Sequence, residues 1–282
     1  MKKLTDSFIL SNDLNIPCVG FGTWQAADGE VATEAVRSAL KAGYRHVDTA
    51  AIYRNEESVG RAVTESGIDR SEIFVTTKLW NKCRSYELAF SAFERSLSKL
   101  GLDYVDLYLI HWPASPSQYE NFDQINLETW RAMTELYKDG KIKSIGVSNF
   151  MPHHLEALMK TDVVPMVNQI EFHPGFTQWE TLEYCKKNGI LVEGWSPLGS
   201  GRVLSDERLK KIASKYGKSV AQICIRWSLQ HGVLPLPKSV TESRIIENAD
   251  VFDFEISSAD MAEIDAFETF GESGFHPDKA DF

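Results

Sequence analysis

Four side chains in the first 111 residues carry groups that together could move a proton onto an oxygen atom. Asp48 ends the apolar run RHVD, Lys78 ends IFVTTK, His111 ends VDLYLIH, and Tyr53 follows Asp48 closely. An isolated buried lysine is costly, so we expect Asp48 and Lys78 to form an ion pair. A cation beside a phenol favours the phenolate, so we expect the pKa of Tyr53 to fall below its ordinary ~10. Tyr53 then becomes a usable proton donor near neutral pH.

His111 fits the same chemistry, because an imidazole can orient a carbonyl oxygen by hydrogen bonding. Protonating an oxygen that becomes an alkoxide needs a hydride donor, which indicates a nicotinamide. Each residue alone has an ordinary structural explanation: an Asp–Lys ion pair, a histidine packed beside Trp112, a surface tyrosine. The chemical interpretation depends on all four residues meeting at one place.

The elements that would bring them together alternate between apolar β-type runs and amphipathic helical stretches. Repeated alternation predicts parallel strands, because each strand returns through a helical crossover. Eight such units in about 250 residues predict an α/β fold, a closed (β/α)8 TIM barrel. The rival is an open doubly wound sheet, which would need a G-x-G-x-x-G turn that the sequence lacks. The expected strands are 18–23, 45–50, 73–80, 105–112, 143–150, 164–172, 190–197 and 233–239.

Helices are expected between these strands, and further elements at both ends of the chain. Phe8 to Pro17 predicts an N-terminal β-hairpin, and residues 251–282 predict a helix near 257–267 and a short, loose C-terminal tail. No linker or low-complexity stretch interrupts the pattern, so we expect a single domain over residues 1–282. The expected helices are 30–43, 56–66, 84–100, 126–139, one ending near Lys160, 177–188, 219–232 and a short one from Thr241.

Composition narrows the possible partners. The 282 residues carry a formal net charge of −10, and an acidic surface does not favour nucleic acid. The N-terminus lacks the apolar core of a signal peptide, and no apolar run reaches the ~20 residues of a membrane span. The four cysteines are far apart, which indicates reduced thiols. We therefore expect a cytoplasmic protein that does not contact membranes.

Polar residues also close several other predicted strands. Barrel enzymes keep their sites at the carboxyl ends of the strands, so these side chains are candidates for the same site. They are Ser148, Asn149, Gln169, Glu171, Ser196, Lys238 and Ser239.

Several long motifs resemble the aldo-keto reductase superfamily over nearly the whole chain. They are GFGTW at 20–24, GYRHVDTAAIYRNEESVG at 43–60, TKLW at 77–80, GLDYVDLYLIHWP at 101–113, GVSNF at 146–150, NQIEFHP at 168–174, LPKS at 236–239 and RIIEN at 244–248. The resemblance implies that Asp48, Tyr53, Lys78 and His111 form a catalytic tetrad. Tyr53 would be the proton donor in reduction, tuned by Lys78 and Asp48, and His111 would orient the carbonyl.

The resemblance also implies an NADPH/NADP+ site. Ser148, Asn149 and Gln169 match the side chains that hold the nicotinamide carboxamide, and Trp195 matches the ring that stacks on the nicotinamide. Tryptophan at this position resembles the bacterial 2,5-diketo-D-gluconate reductase and methylglyoxal reductase members. Further cofactor positions are Gly22, Thr23, Trp24 and Asp48, then Ser196, Leu198 and Gly199 over the pyrophosphate, Lys238, Ser239, Val240 and Arg244 at the 2′-phosphate, and Glu247 and Asn248 at the adenine.

Substrate contacts follow from the same resemblance. Trp24, Trp80 and Trp112 match pocket positions beside Tyr53 and His111. The loop after His111 and the tail are short, which implies an open site for small aldehydes, α-dicarbonyls and keto-sugars. No metal is expected, and His153 and His154 at a helix start are not expected to be ligands. A monomer is favoured.

Two other functional classes remain at this point. An NADPH-binding regulatory subunit or structural protein with little turnover would have the same fold, but the complete tetrad disfavours it. A barrel of unrelated chemistry, such as a sugar isomerase or a pyridoxal-phosphate enzyme using Lys78, is disfavoured by the adjacent tyrosine and the adenosine-phosphate motif.

Overall fold

The computed structural model describes residues 1–280, which form a barrel of eight parallel strands. Each strand pairs with the next one along the chain, as the βα alternation predicts. Two backbone hydrogen bonds link the first and last barrel strands, from Gly20 N to Pro235 O at 3.1 Å and from Gly22 N to Pro237 O at 3.0 Å. The prediction of a (β/α)8 barrel is therefore confirmed. The barrel strands are β3 (Phe21–Gly22), β4 (His46–Asp48), β5 (Phe74–Leu79), β6 (Val105–Ile110), β7 (Ile142–Ser148), β8 (Val167–Glu171), β9 (Leu191–Trp195) and β10 (Leu234–Leu236).

The predicted hairpin is present and lies at the amino end of the barrel. It consists of β1 (Ser7–Ile9) and β2 (Asn15–Pro17), which pair antiparallel. Its turn contacts the start of β7, because Asn12 Nδ2 donates to Lys143 O at 3.0 Å. Ile16 is fully buried in the core. The hairpin therefore covers the end of the barrel opposite to the expected site.

The helices surround the barrel, and glycines end several of them where the sequence indicates. Gly101 follows α3 with a φ of 63°, in the left-handed region that suits a residue without a Cβ atom. Ser85 begins the same helix by accepting the N–H of Leu88. The helices are α1 (Glu30–Lys41), α2 (Glu56–Thr64), α3 (Tyr86–Leu100), α4 (Phe122–Lys138), α5 (Pro152–Leu158), α6 (Trp179–Lys187), α7 (Glu207–Tyr216), α8 (Val220–Gln230), α9 (Glu242–Ala249) and α10 (Ser258–Asp265).

Two helix predictions need correction. Helix α7 was not expected; Asp206 begins it by accepting the N–H groups of Arg208 and Leu209. Helix α4 begins at Phe122, four residues before the expected start at residue 126. All four cysteines are unbridged. Among the described residues no helix combines the length and apolar character needed to cross a bilayer.

Strand register explains why polar groups meet inside the barrel. A parallel sheet covered on both faces reads as nearly continuous apolar sequence, and all six residues of β6 are buried. Asp48 pairs with Thr76, two residues before Lys78, and Gln169 pairs with Glu193. These buried polar side chains are exceptions to the apolar pattern, so each needs a partner.

Candidate active site

Lys78 lies at the centre of the site and is fully buried. Its Nζ is 2.6 Å from Asp48 Oδ1, 2.9 Å from the carbonyl oxygen of Thr49 and 3.5 Å from the Tyr53 hydroxyl. Burial lowers the pKa of Lys78, but attraction to Asp48 and Tyr53 outweighs it, and the pKa is raised. Lys78 is therefore a stable ammonium group with an oxygen for each of its three N–H bonds.

Tyr53 reaches Lys78 from a short 3-10 turn, Ala51–Tyr53, just after β4. Arg54 ends the turn with a φ of 59°. The sequence prediction that the pKa of Tyr53 falls is not supported, because the pKa is raised. Burial disfavours the phenolate and outweighs Lys78, which does lower the pKa as expected. Tyr53 is consequently a protonated phenol at neutral pH, as a proton donor must be.

His111 follows β6 directly and packs beside Tyr53. The two rings are 5.7 Å apart edge to face, and Trp80 lies 5.4 Å from the imidazole on another side. Burial, followed by the charge of Lys78, lowers the pKa of His111 well below its ordinary value. Its Nδ1 has no hydrogen-bond partner within the described part of the chain. His111 is thus a neutral imidazole that can donate one hydrogen bond.

Asn149, directly after β7, links His111 to the end of β9. Its φ of 63° is unusual for a residue with a side chain, although asparagine tolerates it better than most. The side chain holds this conformation by donating to His111 O and Ser148 Oγ, both at 3.0 Å. Trp195 Nε1 donates to Asn149 Oδ1 at 2.8 Å. A strained backbone fixed by such contacts is a common feature of ligand sites.

Gln169 connects the same group to the tetrad. Its Nε2 donates to Asp48 Oδ2 at 2.9 Å and to Glu193 Oε2 at 2.8 Å, while Ser148 Oγ donates to its backbone oxygen. Glu193 lies in the middle of β9, so the pattern of polar residues at strand ends does not reveal it. A carboxylate inside the apolar run ILVEGW is the signal that could have found it.

The loop after β9 has the conformation of a tight, strained turn. Ser196, Gly199, Ser200 and Gly201 all have positive φ, between 52° and 91°. Ser196 Oγ and Ser200 Oγ are 2.9 Å apart, and Gly199 N donates to Ser196 O. A Cβ atom at Gly199 would lie 2.9 Å from a Val203 methyl group, so this position requires glycine. Leu198, the remaining predicted residue here, is half-buried.

The first barrel strand lies beside this region. Glycine is favoured at Gly22, because a Cβ atom there would make a tight contact of 3.2 Å with Leu236 O. Thr23 is fully buried, and its backbone N–H and hydroxyl both donate to Asp48 O. Trp24 is 45% exposed and, in the described residues, makes no ring contact with the other predicted site residues.

The predicted 2′-phosphate positions lie at the start of α9. Lys238 is half-buried, and burial lowers its pKa; among the described residues its Nζ donates to Gln25 O alone, at 3.3 Å. Arg244 is exposed and has no carboxylate partner within residues 1–280. Ser239 Oγ accepts the N–H of Thr241, and Val240 is 49% exposed. Farther along α9, Glu247 is half-buried and Asn248 is buried. Two cations that have no anionic partner in the described part of the chain lie beside a helix start and suit a phosphate, so the residues present fit NADPH.

An aromatic cavity of about 310 Å³ borders the site. Trp112 and Trp195 line it together with Phe275 of the tail, and the rings of Trp112 and Phe275 are 6.2 Å apart. Rigid aromatic walls exclude water and contact the carbon atoms of a ligand. The structure thus brings Trp80 to His111 and Trp112 to the cavity.

Two polar contacts that the sequence did not indicate hold the tail over this cavity. Glu171 is almost fully buried, and its two oxygens accept the backbone N–H and the hydroxyl of Ser273 at 2.8 and 2.6 Å. Arg202, in the loop after β9, donates to Gly271 O at 2.7 Å. The tail is therefore attached both to the end of β8 and to the loop predicted to cover the pyrophosphate.

His153, His154 and Asp278 form a further cluster, with ligand-type atoms within 4.8 Å of one another. His154 Nδ1 accepts the N–H of Met151 at 3.1 Å, so its proton resides on Nε2. That nitrogen lies 3.0 Å from Asp278 Oδ1. The cluster thus forms a contact between α5 and the tail, in which His153 Nε2 is hydrogen-bonded to Asp278 Oδ1 at 2.9 Å.

Comparisons with known proteins find relatives of the whole chain in sequence and in fold. The family model described as Aldo/keto reductase family matches residues 18–269. A Bacillus subtilis protein named glyoxal reductase is 53% identical over 277 residues, which is 98% of each chain. An aldo-keto reductase from a Medee basin deep-sea metagenome has a TM-score of 0.92 at 46% identity, covering 98% of this chain and 100% of that one. A Bombyx mori aldo-keto reductase solved in complex with NADP has a TM-score of 0.86 at 38% identity, covering 94% and 93%.

The eight-stranded barrel, the polar cluster at its carboxyl end and the match over most of the sequence lead to one assignment. The chain belongs to the aldo/keto reductase family and is an NADPH-dependent oxidoreductase.

Proposed function

We propose that this enzyme reduces small aldehydes, α-dicarbonyls and keto-sugars to alcohols, with Tyr53 as the proton donor. One observation supports the role of Tyr53 above all others. Its hydroxyl lies 3.5 Å from the buried ammonium of Lys78 and its ring lies beside the neutral imidazole of His111. A proton donor, a cation and a hydrogen-bond donor are thus gathered at one side of the barrel mouth.

The residues act in complementary ways on the carbonyl group. When bound, NADPH supplies the hydride that adds to the carbonyl carbon. The Tyr53 hydroxyl donates its proton to the carbonyl oxygen as negative charge develops there. His111 donates a hydrogen bond to the same oxygen and orients it. Its imidazole is neutral and has one N–H group for this bond.

Lys78 stabilises the phenolate that Tyr53 becomes. The ammonium cannot leave, because Asp48 holds it at 2.6 Å and the backbone of Thr49 at 2.9 Å. In the free protein burial keeps Tyr53 protonated, so Lys78 matters most after the proton has moved. Asp48 and Lys78 therefore tune the acid, while Tyr53 and His111 contact the reacting oxygen.

The cofactor is assigned to the residues around this group. We assign the carboxamide to Ser148, Asn149 and Gln169, the nicotinamide face to Trp195, and the pyrophosphate to the loop from Ser196 to Gly199. We assign the 2′-phosphate to Lys238, Ser239, Val240 and Arg244, and the adenine to Glu247 and Asn248. Further cofactor contacts are assigned to Gly22, Thr23 and Trp24, beside Asp48. The uncompensated cations at Lys238 and Arg244 support NADPH over NADH.

Small dicarbonyls are the substrates that we favour. The cavity is small and largely aromatic, with Trp112 and Phe275 as walls, and Trp80 packs against His111 nearby. The likeness to a glyoxal reductase points to the same class. We further propose a single domain that acts as a monomer in the cytoplasm, where its unbridged thiols stay reduced.

Steady-state assays test this proposal directly. NADPH oxidation at 340 nm is measured with glyoxal, methylglyoxal, 2,5-diketo-D-gluconate and a long-chain aldehyde, and repeated with NADH. We expect the highest kcat/KM with a dicarbonyl and NADPH. No turnover of any substrate, together with an activity of Tyr53→Phe equal to that of the wild type, would refute the proposal.

A further inference from the structure

Glu193 is a carboxyl group in the barrel interior that the proposed proton transfer does not use. It lies in the middle of β9 and is fully buried. Its Oε2 accepts a hydrogen bond of 2.8 Å from Gln169 Nε2, and the same nitrogen donates to Asp48 Oδ2 at 2.9 Å. Both N–H bonds of the Gln169 amide are therefore directed at carboxyl oxygens.

The groups around Glu193 do not supply a positive charge that would stabilise a second carboxylate beside Asp48. Its Oε1 has no hydrogen-bond partner in the described chain, and His46 Nε2 lies 3.8 Å away. Burial, followed by Lys78, lowers the pKa of His46 to about 3, so that ring is neutral. Lys78 is matched by Asp48, and on the other side β10 contributes Leu234. Burial and the charge of Asp48 raise the pKa of Glu193 to about 8, so the carboxyl group is largely protonated at neutral pH.

We propose that Glu193 is a positioning residue that fixes the direction of the Gln169 amide for nicotinamide binding. The amide NH2 is held between Asp48 and Glu193, which leaves its carbonyl oxygen as the group available to a ligand. A nicotinamide carboxamide carries the N–H donor that this oxygen requires. The inference rests on the proposed function only in assigning Gln169 to the nicotinamide.

Two substitutions separate the hydrogen bond from the charge and the volume of Glu193. Glu193→Gln keeps an oxygen that can accept from Gln169 and copies the neutral acid. Glu193→Met keeps a similar length but removes the acceptor. Glu56→Met is the matched control, because Glu56 is also buried and accepts one hydrogen bond, from Thr77 at 2.7 Å, without contacting Gln169.

Cofactor affinity is measured by quenching of tryptophan fluorescence, with thermal unfolding as a check on folding. We expect NADPH to bind Glu193→Met about tenfold more weakly, as for loss of a hydrogen bond. Glu193→Gln and Glu56→Met stay within about twofold of the wild type. Adenosine 2′,5′-bisphosphate, which lacks the nicotinamide, binds all four proteins equally. Wild-type NADPH affinity in Glu193→Met, an equal loss in Glu193→Gln, or a loss that extends to the bisphosphate would overturn the inference.

The pH dependence of NADP+ binding supplies a second readout that needs only the conservative variant. Ionisation of Glu193 adds negative charge near the positively charged ring, so NADP+ binds the wild type more tightly as the pH rises through about 8. Glu193→Gln cannot ionise and shows no such rise; the same rise in both proteins contradicts the proposed role. Binding is measured without turnover, so an active Tyr53→Phe would refute the proton donor and leave this test unaffected.

Discussion

Replacement of Asp48 by asparagine tests how the protein stabilises the buried cation of Lys78. The ammonium is fully buried 2.6 Å from Asp48 Oδ1, and the substitution leaves it without a counter-charge. Removing one partner of a buried ion pair costs about 3–5 kcal/mol. The second oxygen of Asp48, Oδ2, accepts a hydrogen bond from Gln169 Nε2. If the new amide nitrogen takes the place of Oδ2, two N–H donors face each other there. We therefore expect a loss at the upper end of this range.

The pH dependence of stability should also change sign. In the wild type the pKa of Lys78 is raised, so its stabilisation is complete below the unfolded value of ~10.4 and is lost as the pH rises through the folded value. In Asp48→Asn the attraction of Asp48 no longer opposes the effect of burial. The pKa of Lys78 in the folded protein then falls below its value in the unfolded chain. The stability of the variant should then rise with pH between those two values.

Urea unfolding between pH 6 and pH 10 measures both effects. The double variant Asp48→Asn with Lys78→Met is the control, because it carries neither charge and should regain most of the lost stability while remaining inactive. The reasoning is refuted if Asp48→Asn lies within about 1 kcal/mol of the wild type at pH 7, a loss typical of many ordinary substitutions. It is also refuted if the double variant shows no recovery.

Two further predictions concern the cofactor and the tail. Arg244→Met should weaken NADPH binding about 10- to 100-fold, as for loss of a charge-assisted hydrogen bond, and leave NADH binding unchanged; fluorescence titration with both cofactors checks this, and an equal loss for both would contradict the 2′-phosphate assignment. Glu171→Ala removes both acceptors of Ser273 and should loosen the tail, which Arg202 still holds at Gly271, raising KM for glyoxal about tenfold with little change in kcat. Limited proteolysis should then cut the tail faster, and an unchanged KM would show that the tail does not shape the pocket.

The sequence predicted the parts of this molecule that depend on local pattern. Alternating βα units predict the barrel, because crossover connections force parallel strands. Polar residues such as Lys78 and His111 stand out near strand ends because the strands are mostly apolar. Helix α7 was missed because it lies within the long loop after β9, outside the repeating pattern.

Contacts between distant residues and the effects of burial were beyond the sequence. Ser273 and Glu171 are 102 positions apart, and no local pattern links them. The pKa of Tyr53 was predicted in the wrong direction because the pairwise effect of Lys78 was considered without burial. Glu193 contacts Gln169 through strand register, which only the folded barrel defines.

Single-turnover oxidation of bound NADPH by saturating glyoxal tests the central claim most directly, because it separates proton donation from binding. Tyr53→Phe is compared with Tyr108→Phe, which removes a buried hydroxyl that has no hydrogen-bond partner among residues 1–280. We expect the rate to fall about 10²- to 10⁴-fold in Tyr53→Phe, the usual contribution of a general acid, with unchanged NADPH affinity, and to stay at the wild-type value in Tyr108→Phe. A Tyr53→Phe rate within a few-fold of the wild type would contradict the assignment of Tyr53 as proton donor.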